Sequence, residues 1–194
     1  MHARRSAIIV ICCSLCCSAC SWFNKSERHV NKPLVDVLLD NPGFESEGGW
    51  RISAPPDFSN YALFEQDQHV RKSGKRSGHI LIERRHPKDG SEILHGWSQK
   101  PRLMPAGQKV RFGGWVRLAG TQQLHLGLEY EVATPRNGQT LFKAEVIVPP
   151  DDDRFHFVDR TFILPEDVLS LTFFAGIGSV GEVWFDNLYL FVVD

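Results

Sequence analysis

The sequence predicts an all-β fold, either an antiparallel β-sandwich or a jelly roll. Short segments alternate apolar and polar residues with the period of a β-strand. The 16 glycines and 11 prolines are dispersed between these segments as turn residues. No segment keeps the period of an amphipathic helix. Many short strands joined by turns are typical of a two-sheet antiparallel domain.

The N-terminal segment, residues 1–19, has the features of a secretory signal. Arg4 and Arg5 precede an apolar run at residues 7–13, and small residues follow up to Ala19. A basic end, a short apolar run and a small-residue boundary are typical of an export signal, and the run is too short to span a bilayer. We therefore expect the protein to be exported.

The cysteines define two alternatives for the processing of this segment. All five lie at or before its boundary: Cys12, Cys13, Cys16, Cys17 and Cys20. Residues 35–194 therefore cannot form an internal disulfide. The small residues before Cys20 resemble a bacterial lipobox, although Cys17 stands where leucine is usual. The resemblance implies that Cys20 is lipidated and anchors the protein to a membrane, and Ser21 is similar to the signal for outer-membrane sorting. Ordinary cleavage after Ala19 is the alternative.

The remainder of the chain is predicted to be a tether and one domain. Residues 20–34 are polar and lack hydrophobic periodicity, which indicates a flexible tether. Residues 35–194 suffice for one buried core but not for two. The net charge of -1 indicates no basic surface of the kind that binds nucleic acid. We expect a protein of the cell envelope, held as an outer-membrane lipoprotein, with no nucleic-acid partner.

Two segments show the strand alternation most clearly. In residues 109–118 the predicted core face consists of Val110, Phe112, Gly114, Val116 and Leu118. The opposite face consists of Arg111, Gly113, Trp115 and Arg117. Residues 124–132 repeat the pattern, with four aliphatic residues and Tyr130 on the core face and with His125, Gly127, Glu129 and Glu131 on the other. Further strands are predicted at residues 141–148, 154–164, 169–175 and 182–193.

Four motifs occur in order along the chain. The first is Leu-Leu-Asp-Asn-Pro-Gly-Phe-Glu at residues 38–45, followed by Trp50, and it predicts a strand that runs into a turn. The second is Lys-Ser-Gly-Lys-Arg-Ser-Gly-His-Ile at residues 72–80. The third joins Gly-Trp-Ser-Gln at residues 96–99 to a Pro-Ala-Gly turn and the strand that ends in Trp115-Val116-Arg117. The fourth is Gly-Glu-Val-Trp-Phe-Asp-Asn-Leu-Tyr-Leu at residues 181–190.

Together the motifs resemble those of the carbohydrate-binding modules of the family 4/9, or galactose-binding-like, β-sandwich group. The departures are Pro42 for a usual glycine, Val110 for a common tyrosine and Asn187 for the second of two aspartates. The resemblance implies a sandwich fold and non-catalytic binding of a polysaccharide or glycan. It also implies a structural calcium ion held by Glu45 and Asp186, with backbone carbonyls near Lys75 completing the shell. The alternative is that Glu45 caps a turn and Asp186 accepts hydrogen bonds from neighbouring backbone amides.

A sugar site is predicted on the outward faces of the two clearest strands. A pyranose presents a flat C–H face to an aromatic ring and needs polar partners for its hydroxyls. Trp115 lies on the outward face between Arg111 and Arg117, and His125 and Glu129 on the next strand are expected to supply hydrogen bonds. Trp97 and Trp50 are weaker candidates. The alternative is that these tryptophans pack beneath loops.

Other motifs do not support catalysis. The glycine spacing at residues 176–181 fits a dinucleotide-binding loop, but a strand follows where a helix is required, so a glycine-rich hairpin is predicted. The acidic run at residues 151–153 is interpreted as a solvated loop. The sequence contains neither a His-Glu-x-x-His nor a Gly-x-Ser-x-Gly motif. We expect a non-catalytic glycan-binding protein, and the alternative is an envelope protein that uses the same fold to bind other proteins.

Overall fold

The computed structural model describes residues 37–55, 60–84, 93–136 and 139–193. They belong to one compact unit, Val35–Asp194. The predicted signal at residues 1–19, the tether at residues 20–34 and the lipidation site at Cys20 lie outside the described residues. Within the described ranges no helix is long and apolar enough to cross a membrane.

The described residues form ten strands in two antiparallel sheets, as the sequence predicts. The strands are β1 (Arg51–Ser53), β2 (Ala62–Asp67), β3 (Ser77–Ile82), β4 (His95–Gln99), β5 (Lys109–Ala119), β6 (Leu124–Arg136), β7 (Gln139–Glu145), β8 (His156–Ile163), β9 (Val168–Ile177) and β10 (Gly181–Val192). The first sheet has the order β1-β4-β9-β6-β7, and the second has the order β2-β3-β10-β5-β8. The all-β sandwich prediction is therefore confirmed.

The core lies between the two sheets and contains the predicted apolar faces. On β5 the inward side chains Val110, Phe112, Val116 and Leu118 are fully buried. On β6 the buried set is Leu124, Leu126, Leu128, Tyr130 and Val132. Each such aliphatic or aromatic side chain contributes about 1.5–3 kcal/mol when it leaves water. This burial fixes which side chains of β5 and β6 face outward.

The segment at residues 37–50 departs from the prediction because it contains no strand. Leu38 and Leu39 are both buried, whereas consecutive residues of a strand point to opposite faces. Asn41 and Phe44 have positive φ angles of 46° and 58°, so the chain turns here. A hydrogen bond of 2.7 Å from the Leu38 amide to the Leu190 carbonyl holds this irregular segment against β10. The short strands β1 and β2 were not predicted.

The chain passes from one sheet to the other at residues 120–123. These residues connect β5 of the second sheet to β6 of the first. Residues 178–180, within the glycine-rich segment 176–181, likewise connect β9 to β10 in the opposite sheet, so the predicted hairpin is wrong. Gly181 packs closely against the connection at residues 120–123, because a Cβ added to it would lie 2.6 Å from Cβ of Thr121. The outward faces of β5 and β6 therefore point away from each other.

Candidate functional site

The outer face of the first sheet carries a groove made of two neighbouring hollows. One hollow, of about 280 Å³, is lined by Asp40, Gly49, Arg51, Ser98, Gln99, Lys100 and Thr172. The other, of about 460 Å³, is lined by Ser53, Ala54, Pro55, Ile93, Leu94, Glu129 and Phe174. Thr172 pairs with Glu129 across β9 and β6, so the two hollows adjoin on the same surface. We call this surface the groove.

Small residues create the groove. Gly96, Gly127 and Gly176 lie on this face, and Phe174 lies flat over two of them: a Cβ on Gly96 would come within 2.4 Å of the Phe174 ring. Phe174 is itself only 5% exposed, so it forms part of the packed floor. The accessible groups of the groove are both polar and apolar, since Ser53 and Glu129 line the larger hollow together with Ile93 and Leu94.

Two of the predicted ligand residues lie on this face. Glu129 lines the larger hollow and forms an ion pair of 3.3 Å with Lys143. Nδ1 of His125 lies 3.0 Å from Oε1 of Glu145. Both carboxylates remain partly exposed, and each has further acceptor capacity. The groove can therefore offer hydrogen-bond acceptors to a hydroxyl-rich ligand.

The outer face of the second sheet carries a row of four aromatic side chains, which we call the aromatic row. Trp115 contacts Phe157 edge-on at 5.3 Å between ring centroids. Phe157 stacks on Tyr189 at 6.0 Å, and Tyr189 stacks on Phe191 at 5.2 Å. Nζ of Lys72 lies 4.0 Å from the Trp115 ring centroid, a cation–π contact. One face of Trp115 is thus covered by the protein's own cation.

Ion pairs border the aromatic row. Arg111 pairs with Asp159 and Arg117 pairs with Asp153. The guanidinium of Arg117 also lies 4.8 Å from the Trp184 ring centroid. Burial raises the pKa of Tyr189 from its ordinary value of 10.0 to about 12, so its hydroxyl stays protonated even in moderately alkaline solution. The two arginines predicted as ligand residues are therefore already paired with aspartates.

The structure divides the predicted sugar site. Trp115, Arg111 and Arg117 lie on the outer face of the second sheet, whereas His125 and Glu129 lie on the outer face of the first. They cannot contact one ligand together, because the sandwich separates them. Trp97 is 9% exposed and packs in the core against Phe44 and Phe64, so we remove it from the candidates.

Trp50 also serves packing. Its ring stacks on Phe44 at 4.9 Å, and its indole Nε1 donates to the Asn41 carbonyl at 2.8 Å. These contacts fasten the irregular N-terminal segment to the core. Trp50 therefore packs beneath a loop, as the alternative prediction for the tryptophans states.

The sequence did not lead us to three members of the aromatic row. Phe157 is 49% exposed while its neighbour Val158 packs against the core, so the alternation along β8 was the available signal. The register of β10 shifts between Asp186 and Tyr189, which changes the side of the sheet that the later residues face. Alternation counted through an unrecognised bulge assigns such residues to the wrong face.

The Glu45–Asp186 pair adjoins the loop at residues 72–75. Asp186 Oδ2 accepts hydrogen bonds from the Lys72 and Ser73 amides at 2.8 and 2.9 Å. Both oxygens of Glu45 accept from the Lys75 amide at 2.9 Å. A Cβ on Gly74, where φ is +61°, would lie 1.7 Å from Glu45 Oε1. The loop thus closely encloses the Glu45 carboxylate.

This pair fits the donor chemistry of calcium. Asp186 is 0% exposed, and its Oδ1 has no hydrogen-bond partner among the described residues. Burial raises the pKa of Asp186, against the effect of hydrogen bonds from the backbone amides of residues 72, 73 and 187, and the Glu45 charge raises it further. A cation would satisfy this oxygen and offset the repulsion. The contact at Lys75, however, is made by its N–H, which cannot ligate a metal, rather than by the predicted carbonyl.

No protein-family model matches the chain, and no curated protein matches it by sequence. The likeness to known proteins is structural.

Several solved carbohydrate-binding modules have a similar fold. The CBM22-1 xylan-binding domain of Paenibacillus barcinonensis Xyn10C has a TM-score of 0.58 at 16% identity, covering 82% of this chain and 96% of that one. The C-terminal family 22 module of Clostridium thermocellum Xyn10B, described for the role of amino acids in its cleft in ligand binding, has a TM-score of 0.54 at 14% identity, covering 77% and 89%.

A phage protein also contains this fold. The enzymatically active domain of bacteriophage CBA120 tailspike protein 4 has a TM-score of 0.58 at 12% identity, covering 81% of this chain. This chain spans only 21% of that domain's length. At such identities the comparisons establish the β-sandwich fold of these modules.

Proposed function

We propose that this protein is a non-catalytic carbohydrate-binding module that binds a glycan chain in the groove of the first sheet. The observation that carries the proposal is the groove itself, a concave surface with polar side chains on one outer face of the sandwich. A ligand in a concave site loses water over much of its surface while a few polar groups fix its orientation. The aromatic row borders a separate hollow of about 300 Å³ beside Phe157, whose lining also includes Ile147 and Val148.

The chemistry of the groove suits a hydroxyl-rich polymer. Glu129 supplies carboxylate acceptors, and Thr172 and Ser98 supply hydroxyl groups that both donate and accept. Arg51 and Lys100 add donors at the other end. The structural likeness to xylan-binding modules, one of them described for ligand binding in its cleft, supports a polysaccharide as the ligand.

Affinity electrophoresis through a panel of neutral and acidic polysaccharides tests this function. The protein, Glu129→Ala, Trp115→Ala and the control Glu131→Ala, on the same face of β6, are run side by side. We expect at least one polymer to retard the protein and Glu129→Ala to weaken binding about 10- to 100-fold, the effect of a lost hydrogen bond to a charged group of about 1.5–3 kcal/mol. Glu131→Ala and Trp115→Ala should bind normally.

Two results would contradict the proposal. Retardation lost in Trp115→Ala but kept in Glu129→Ala would place the glycan on the aromatic row. No retardation by any polymer would favour the alternative function, binding of another envelope protein. Apolar side chains exposed on β8 support this binding of another protein. Phe157 is 49% exposed and Ile163 is 67% exposed.

We further propose that Glu45 and Asp186 hold a structural calcium ion. The unpartnered, buried Oδ1 of Asp186 beside a second carboxylate supports this proposal. When bound, calcium would supply the positive charge that joins residues 38–45 to β10. The chain's own part is to hold the two carboxylates with the amides of residues 72, 73 and 75.

Export to the cell envelope remains part of the proposal. The basic end and apolar run of residues 1–19 support secretion, and the small residues before Cys20 support a lipid anchor in the outer membrane. An anchored module would hold its glycan close to the membrane.

A further inference from the structure

A cluster of one histidine and two carboxylates lies on the outer face of the second sheet, apart from the groove and from the Glu45–Asp186 pair. Glu65 and Asp67 are alternate residues of β2, and Glu65 pairs directly with His79 of β3. Nδ1 of His79 lies 2.8 Å from Oε1 of Glu65. One potential ligand atom from each of the three residues lies within 4.8 Å of the other two.

His79 has more acceptors than protons around its ring. The residue is 5% exposed, and its Nε2 lies 3.3 Å from Oε2 of Glu182, opposite the contact with Glu65. A neutral imidazole carries one N–H, so it can donate to only one of these carboxylates. The other ring nitrogen then directs its lone pair at a carboxylate oxygen. A second positive centre at one nitrogen is required to make both contacts favourable.

The neighbouring side chains hold the cluster in place. The His79 ring stacks on Trp184 with centroids 4.6 Å apart and an interplanar angle of 8°. Nε1 of Trp184 donates to Asp67 Oδ2 at 2.8 Å, and the His69 and Val70 amides donate to Asp67 Oδ1. Although burial opposes ionisation, these hydrogen bonds lower the pKa of Asp67. Asp67 is thus a fixed, ionised carboxylate.

The cluster carries uncompensated negative charge. Glu65, Asp67 and Glu182 contribute three carboxylates, and none of them forms an ion pair with a lysine or arginine within the described part of the chain. Arg117 reaches the Trp184 ring, but its charge is paired with Asp153. Charges so close together in a partly buried site favour the binding of a cation.

We propose that Glu65, Asp67 and His79 form a binding site for a divalent transition-metal ion of the zinc class. Nδ1 of His79 and Oε1 of Glu65 lie 2.8 Å apart, a hydrogen-bond distance, and they would separate to about 3.4 Å to share one tetrahedral ion with bonds of about 2.0–2.2 Å. The ion takes the place of a proton at Nδ1, and Nε2–H then donates to Glu182. Imidazole with carboxylate favours zinc, nickel or copper, whereas the all-oxygen Glu45–Asp186 pair favours calcium.

Zinc titration by isothermal calorimetry tests the site. Because thiolates bind zinc strongly, all five cysteines are replaced by serine in every sample. Glu65→Gln and His79→Gln are compared with the control His156→Gln, which removes a partly exposed histidine that pairs with Asp152. Glu65 is about half exposed, so its substitution keeps the test valid even if His79→Gln does not fold.

We expect one zinc ion to bind the protein and the His156→Gln control with equal affinity. Loss of a direct ligand in Glu65→Gln or His79→Gln should weaken binding by at least the roughly 10- to 100-fold that changes around metal ligands cost. Glu45→Gln should leave zinc binding unchanged. Failure of the protein to bind zinc would overturn the proposal. Equal affinity in Glu65→Gln and the control would also overturn it.

Discussion

The two outer faces of the sandwich differ in the size of the side chains that cover them. The groove face carries Gly96, Gly127 and Gly176 together with Ser98 and Thr172, whereas the opposite face carries Trp115, Phe157 and Tyr189. Antiparallel strands of the same kind therefore carry a groove with polar and apolar groups on one face and a row of aromatic side chains on the other. The size of the outward side chains, and not the topology of the sheets, distinguishes the two faces.

The polar groups of the two faces are also used differently. On the groove face Glu129 and Glu145 each pair with one partner and remain partly exposed. On the aromatic face Arg111 and Arg117 are neutralised by aspartates, and Lys72 lies on Trp115. The first arrangement leaves hydrogen-bonding capacity for a ligand, and the second uses it within the protein. Four changes test this account of the two faces.

Filling the groove should have the largest effect. Ser98 is half-buried and lines the smaller hollow, so the indole of Ser98→Trp would occupy the space assigned to a sugar. We expect glycan affinity to fall by more than about tenfold, or 1.4 kcal/mol, as measured by affinity electrophoresis. Thr161→Trp, an equal enlargement on exposed β8, is the control and should bind normally. Equal losses in both variants would show that the groove has no special role.

Removal of calcium should have the next largest effect. Calcium at 100 times its Kd stabilises by about 2.7 kcal/mol, so excess chelator should lower Tm by about 5–10 °C, since 1 kcal/mol corresponds to about 2–4 °C in a domain of this size. Differential scanning calorimetry with and without chelator measures the shift. An unchanged Tm, together with no calcium detected by elemental analysis, would contradict the proposed calcium site at Glu45 and Asp186.

The Asp186 carboxyl gives this experiment a pH dependence. Because its pKa is raised in the folded state, the folded protein binds that proton more tightly than the unfolded chain does. When calcium is removed by a chelator, ionisation of Asp186 should therefore lower the free energy of unfolding as the pH rises above the usual pKa of an aspartate. Asp186→Asn should remove this loss and make Tm insensitive to calcium, while the amide oxygen of the substituted side chain still accepts from the two backbone amides.

Truncation of Trp115 should have the smallest effect on glycan binding and a measurable effect on stability. The variant Trp115→Ala loses the contacts with Lys72 and Phe157, which together contribute about 1–2 kcal/mol. Urea unfolding should show this decrease, while glycan affinity stays within twofold, roughly 0.4 kcal/mol. A large loss of affinity with little change in stability would reverse the assignment of the two faces.

The sequence predicted the core more successfully than the site. Alternation alone identified the inward and outward residues of β5 and β6, because burial of one face depends only on the local period. It did not indicate that residues 120–123 carry the chain into the other sheet, so Trp115 and His125 were assigned to one site. The strand with which a given strand pairs is determined by contacts between residues distant in sequence, and a local alternation pattern does not indicate them.

Irregular segments limited the prediction in the same way. Leu38 and Leu39 belong to a segment that was predicted to be a strand. Both are buried, because the segment turns at Asn41 and packs against the sandwich. The cluster around His79 was also missed, since Glu65 belongs to a strand that the alternation did not indicate. By contrast, the proximity of Asp186 to Glu45 was expected from the resemblance of the motifs.

The crossing at residues 120–123 has a consequence for how the protein would behave on a surface. Two ligands held on opposite faces of a sandwich are separated by both sheets, which stack about 10 Å apart, and so they do not compete for space. A tethered molecule that holds a polymer in its groove keeps its other face free for a second body. Weak contacts made by many such molecules along one polymer would add up to avidity, and the protein would act as a cross-link between that polymer and whatever its other face holds.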